Sequence, residues 1–113
     1  MKILFNISLL FSVITVIPSY AKTYTGTQLR AMIKKNNYPD QGPSQTQTQE
    51  ISYSKCKEVV LQTVRQMGGA IPSETIADTS IVYSKKLWNN DSAMLFTCSA
   101  PDNKLTIVIS PYI

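Results

Sequence analysis

The chain has 113 residues, 43% of them hydrophobic, with eleven basic and seven acidic side chains, no histidine and a net charge of +4. That length allows one domain, and the missing histidine excludes Ser-His-Asp and Cys-His catalysis and removes the commonest general base near neutral pH. The positive balance is mild: Lys34-Lys35, Lys55, Lys57, Arg65 and Lys85-Lys86 are interleaved with acids instead of gathered on one face, which argues against a nucleic-acid partner.

Met1-Lys2 opens an apolar run from Ile3 to Ile17 that is broken only by Asn6, Ser8, Ser12 and Thr15. Pro18 ends any helix, and Ser19-Tyr20-Ala21 offers small residues at the first and third positions of a signal-peptidase site, so residues 1–21 are expected to be a cleaved secretory signal peptide. The run is shorter than the roughly 20 apolar residues of a bilayer span, and no later segment is longer, so no stable membrane insertion is expected after cleavage. Two cysteines in an exported chain imply one disulfide, Cys56 to Cys98. Metal binding is the rival use, but it lacks histidine and any CxxC pair; no metal or cofactor is expected.

Residues 22–38 read as a short helical segment. Thr27 is a candidate cap for a helix from Gln28 to Lys35, with Leu29, Met32 and Ile33 on one face and the two lysines in the last turn, where the helix dipole favours them. A helix this short is marginal alone, so the stripe must lie on the main domain or on another protein. Residues 39–50 contain Gln41-Gly42-Pro43-Ser44-Gln45-Thr46-Gln47-Thr48-Gln49, with no aliphatic or aromatic side chain to offset ordering entropy, and read as a flexible linker.

Residues 51–113 read as a disulfide-linked α+β domain. Ser52 or Ser54 caps a main helix in which Tyr53, Cys56, Val60, Val64 and Met67 recur at spacings of three and four, until Gly68-Gly69 and Ile71-Pro72 stop it. The period then falls to two. Ile76 to Trp88, Ser92 to Ser99 and Leu105 to Ser110 read as three strands, separated by the turn clusters Asn89-Asn90-Asp91 and Ala100-Pro101-Asp102-Asn103. The expected fold is thus α+β, in ααβββ order, with one main helix covering a three-stranded antiparallel meander. Cys98 shares a strand face with Met94 and Phe96 while Cys56 lies on the helix stripe, so the disulfide should pass through the core between them.

Catalytic chemistry has little to stand on. Glu50, Glu58, Glu74, Asp78, Asp91 and Asp102 read as helix, turn and loop acids, none set among apolar residues that would raise its pKa, and the four glycines form no phosphate-cradling pattern. Asn89, Asn90 and Asp91, flanked by Trp88, are either a recognition tip or plain hairpin chemistry. Tyr83 and Trp88 fall on opposite faces of one strand. If Trp88 points outward with Val82, Leu95 and Val108, the outer face carries an apolar patch for a partner, unless the short helix covers it. The candidate partner-binding residues are accordingly Leu29, Met32, Ile33, Trp88, Asn89, Asn90 and Asp91.

The element order is similar to that of the BamE and β-lactamase-inhibitor-protein group of envelope domains, although BamE proteins carry a lipidated cysteine that this chain lacks. Separately, Leu87-Trp88-Asn89-Asn90-Asp91-Ser92-Ala93-Met94 and Cys98-Ser99-Ala100-Pro101-Asp102 resemble small exported proteins of Gram-negative bacteria, some encoded beside conjugation or type IV secretion genes (KikA-like proteins). The resemblance covers about the last sixty residues. Small size, the lack of catalytic chemistry, the tethered amphipathic helix and the candidate apolar outer face point to a periplasmic or secreted, non-enzymatic binding or accessory protein whose partner is another envelope or secreted protein. The resemblance suggests a secretion or conjugation apparatus as its setting. The alternative is a secreted inhibitor or effector that inserts the Asn89–Ser92 tip or the Pro101–Asn103 turn into a target.

Overall fold

The computed structural model describes residues 22–67 and 69–113, so the expected signal peptide and Gly68 lie outside the described residues. Helix α1 spans Gly26–Lys34, two residues earlier than expected at its start, because Thr25 and Gln28 close a capping box. Gln28 N–H donates to the Thr25 hydroxyl at 3.1 Å and Thr25 N–H to the Gln28 side-chain oxygen at 2.8 Å, satisfying two otherwise orphaned donors. At the other end Asn36 takes a left-handed φ of 56°. There Asn36 N–H bonds to Ile33 and Asn37 N–H to Met32, a Schellman motif built on asparagine.

Strand β1 (Gln45–Glu50) follows, then helix α2 (Tyr53–Met67) and strands β2 (Ser73–Asp78), β3 (Val82–Trp88), β4 (Ser92–Ser99) and β5 (Lys104–Pro111). All strand pairs are antiparallel, in the order β1-β5-β4-β3-β2. The expected three-stranded meander is therefore corrected to a five-stranded sheet, and the single covering helix to two helices.

Two causes account for the extra strands, the first local and the second long-range. The stretch from Ile76 to Trp88, expected as one strand, breaks at Thr79: its hydroxyl accepts from Ile81 and Val82 N–H at 3.3 and 3.0 Å, and its N–H donates to the Val82 carbonyl at 2.8 Å. That hydroxyl-closed turn folds β2 back onto β3. The second cause is backbone pairing. The 39–50 linker expectation is corrected because Gln45–Glu50 runs in unbroken register against Lys104–Ile109, and Asp40 and Gly42 are bonded to Ile113 and Pro111 just before it. A strand without apolar side chains can hold its place at a sheet edge through main-chain hydrogen bonds and β-branched threonines.

The two sheet faces bury separate cores. On one face α2 contributes Cys56, Val59 and Val60, which pack with Tyr83, Leu87, Met94, Phe96, Cys98, Leu105, Ile107 and Ile109. The Cys56–Cys98 disulfide forms there as expected, tying α2 to the central strand β4 across a Cα separation of 5.9 Å, with both residues fully buried. On the other face Leu29 of α1 packs with Trp88, Ala93 and Tyr112, and with the partly buried Tyr24 and Ile33. A side chain at Gly26 would collide with the Ala70 carbonyl, so only glycine lets the start of α1 pass beneath the loop that follows α2.

Candidate functional site

The expected recognition residues gather around the β3–β4 hairpin, and most of them are used internally. Trp88 points to the face opposite α2, as one branch of the sequence reading requires, yet it is only 3% exposed because α1 covers it. Tyr38 stacks on its ring at 5.2 Å between centroids and Lys86 Nζ sits 4.4 Å from its centroid. The chain itself thus closes the Trp88 end of the outward face, while Val82, Leu95 and Val108 on that face stay half-buried. Leu29 is fully buried and Ile33 packs against the same cluster, while Met32 is half-buried, so Leu29 and Trp88 are core residues and not a free surface.

The hairpin tip is a fixed structure. Asn89 N–H closes the turn on the Ser92 carbonyl at 2.9 Å, and Asn90 N–H donates to the Asn89 side-chain oxygen at 2.9 Å. Two other parts of the chain then clamp it. Tyr24 N–H donates to the Asn90 carbonyl and the Asn90 side-chain amide to the Tyr24 carbonyl, at 2.8 and 2.7 Å; Tyr112 N–H donates to the Asp91 carbonyl at 3.1 Å. The Tyr112 hydroxyl donates to the Asn89 carbonyl at 2.7 Å. Asn90 keeps an exposed position, so the tip presents a rigid polar corner.

Burial chiefly, and then the nearby Asp91 charge, hold the Tyr112 phenol well above its ordinary pKa. An unfolded tyrosine ionises near pH ~10, whereas the folded one keeps its proton beyond that, so stability is intact below about pH 10 and falls as the pH rises above it. Tyr83 is shifted in the same direction, mainly by burial, and adds to the slope. Tyr112→Phe is expected to lessen that alkaline loss, at a cost of about 1 kcal/mol near neutral pH for the hydrogen bond to Asn89. Urea unfolding followed between about pH 8 and 11 reads both effects, and an unchanged alkaline slope in the variant would count against this role for Tyr112.

A second polar cluster ties the β2–β3 hairpin to α2. Lys57 Nζ pairs with Asp78 at 2.9 Å and lies 5.1 Å from the Tyr83 ring centroid, and the Tyr53 hydroxyl donates to the Thr79 carbonyl at 2.6 Å. The hydrogen bond to Asp78 raises the Lys57 pKa, which favours its charged ammonium form. Among the described residues no three His, Cys, Asp or Glu side chains come together as a metal site, and no helix is long and apolar enough to cross a membrane.

The feature that sequence reasoning missed is the sheet edge at β1. Ile51 N–H bonds to the Asn103 carbonyl at 2.9 Å, one step beyond the Glu50–Lys104 pair, and this fixes the phase of the ladder. Gln45, Gln47 and Gln49 direct their main-chain groups at β5; Thr46, Thr48 and Glu50 direct theirs to the open side. The opposite edge, β2, is guarded by a register shift between Thr75 and Ala77 and by the acids Glu74 and Asp78. Strand β1 has neither a bulge nor a lysine nor an internal proline. The signal was present as strict Gln/Thr alternation, masked by the absence of apolar residues.

Together these features define a small α+β protein: a five-stranded antiparallel sheet with a helix on each face and one disulfide through the larger core. No protein-family model, curated protein or solved structure matches the chain.

Proposed function

We propose that the protein is a non-enzymatic binding or accessory protein of the bacterial envelope, working in the periplasm or after secretion. The observation that carries the reading is the fully buried Cys56–Cys98 disulfide, a bond that persists in oxidising compartments and suits a chain that begins with a signal-like segment. A helix of the chain itself packs on each sheet face and buries Trp88 on one of them, and the polar hairpin tip and the open edge of β1 are left available for recognition of a partner. An envelope secretion or conjugation apparatus is the setting that the KikA-like resemblance suggests. The second reading, an inhibitor or effector, draws support from the clamped Asn89–Ser92 tip, because a preorganised loop loses little entropy on entering a cleft.

The test is fractionation of an expressing Gram-negative host with intact-mass analysis, followed by cross-linking in the envelope and identification of the captured proteins. The expected product lacks residues 1–21, is two hydrogens lighter than its dithiol form and cross-links to components of one envelope assembly. Cytoplasmic protein with free thiols would overturn the export reading. Capture of one soluble hydrolase or toxin in place of envelope components would replace the accessory role with the inhibitor role.

A further inference from the structure

We propose that two copies of this chain associate edge to edge through β1, joining their sheets into one continuous ten-stranded antiparallel layer. The starting point is the unused hydrogen-bonding edge. Apart from the ladder to β5, none of the hydrogen bonds or ion pairs among the described residues engages Gln45–Glu50. The N–H and C=O groups of Thr46, Thr48 and Glu50 therefore face outward from a regular strand, a template for another strand that the bulged and acidic β2 edge does not offer.

The sequence of the edge selects a second copy as its occupant. Gln45-Thr46-Gln47-Thr48-Gln49 reads the same in both directions, and an isologous contact requires a surface complementary to itself. With a two-fold axis at Gln47, Thr46 of one copy lies opposite Thr48 of the other, Gln45 opposite Gln49, and Gln47 opposite its own counterpart. This register meets two independent requirements. Side chains facing each other lie on the same face of the joined sheet, as the pleat demands. The residues forming hydrogen-bonded pairs, Thr46 with Thr48, are those whose main-chain groups point outward in each copy. Electrostatics also permit it, since Glu50, the only charge in the strand, falls opposite the second copy's Ser44 and the two carboxylates stand at opposite ends of the seam.

Analytical ultracentrifugation of the disulfide-intact protein, recovered from an exporting host, is expected to show a mass that doubles as concentration rises. Thr48→Pro removes an N–H that faces the open edge and leaves the β5 ladder whole, so it should hold the protein monomeric with an unchanged melting temperature. Should that variant fold poorly, Thr46→Lys with Thr48→Lys serves the same purpose through charge repulsion. Gln47→Cys tests the register: the symmetric pair is a non-hydrogen-bonded one with Cβ atoms about 4.5–5.5 Å apart, and mild oxidation should link the copies covalently. Gln49→Cys, facing the second copy's Gln45, should not link to itself. A monomer across the whole concentration range, or a dimer that survives both edge variants, overturns the proposal; so does linkage through Gln49→Cys without linkage through Gln47→Cys.

Discussion

Replacing Cys56 and Cys98 together by alanine is expected to remove about 4 kcal/mol of stability. The bridge joins residues 42 apart, and closing a loop of that length restricts the unfolded chain by an amount of this order in the chain-entropy model. For a small domain that is a large part of a total of roughly 5–15 kcal/mol, and it corresponds to a fall in melting temperature of roughly 15–30 °C. The position of the bond strengthens the expectation. It lies between α2 and the central strand, among Val59, Val60, Phe96 and Leu105, so its loss also frees the helix that covers the larger core. Thermal unfolding of the oxidised protein and the double variant, followed by circular dichroism, gives the comparison. A drop of only a few degrees would mean that packing alone fastens α2 to the sheet.

The second large effect is at Leu29. It is fully buried against Trp88, Ala93 and Tyr112, in a cluster that has no other aliphatic residue of its size at its centre. Leu29→Ala should cost about 2–3 kcal/mol, at the lower part of the range for core leucines because the cluster is small and its neighbours can relax. Met32→Ala, on the half-buried flank of the same helix, should cost about 1 kcal/mol or less. Urea unfolding should show the Leu29→Ala midpoint shifted with its slope retained. Deleting residues 22–37 should do more, exposing Trp88 and stripping Tyr24 from the hairpin tip, with a large fall in melting temperature. If Leu29→Ala and Met32→Ala were equally mild, α1 would be a loosely docked segment available to a partner. The placement of Leu29 in the core speaks for the opposite outcome.

Parts of this architecture were legible because neighbouring residues encode them. The stripe through Cys56, Val60, Val64 and Met67 specifies a helix and its buried side, and the alternation of Met94, Phe96 and Cys98 specifies a strand and its buried side. Each pattern is local, and the two together direct both cysteines toward one core. The turn at Asn89–Asp91 was equally readable, since residues tolerant of turn geometry cluster there. Its clamping was not. The partners of Asn90 and Asp91 are Tyr24 and Tyr112, far away in the chain at either end of the domain, and nothing about the tip itself announces them.

By itself, then, the sequence determined a disulfide-bridged α+β chain, its main helix, the inner faces of its central strands and the positions of two turns, because periodicity and turn chemistry act over a few residues. Only the tertiary structure decided the strand number, the side on which α1 lies and the fate of Trp88. Strand β1 forms because β5 supplies hydrogen-bond partners to a segment with no hydrophobic signal of its own, and α1 docks because the second sheet face needs cover. The open edge and the candidate recognition surface belong to that second category: an edge exists only once every other strand has found its neighbour.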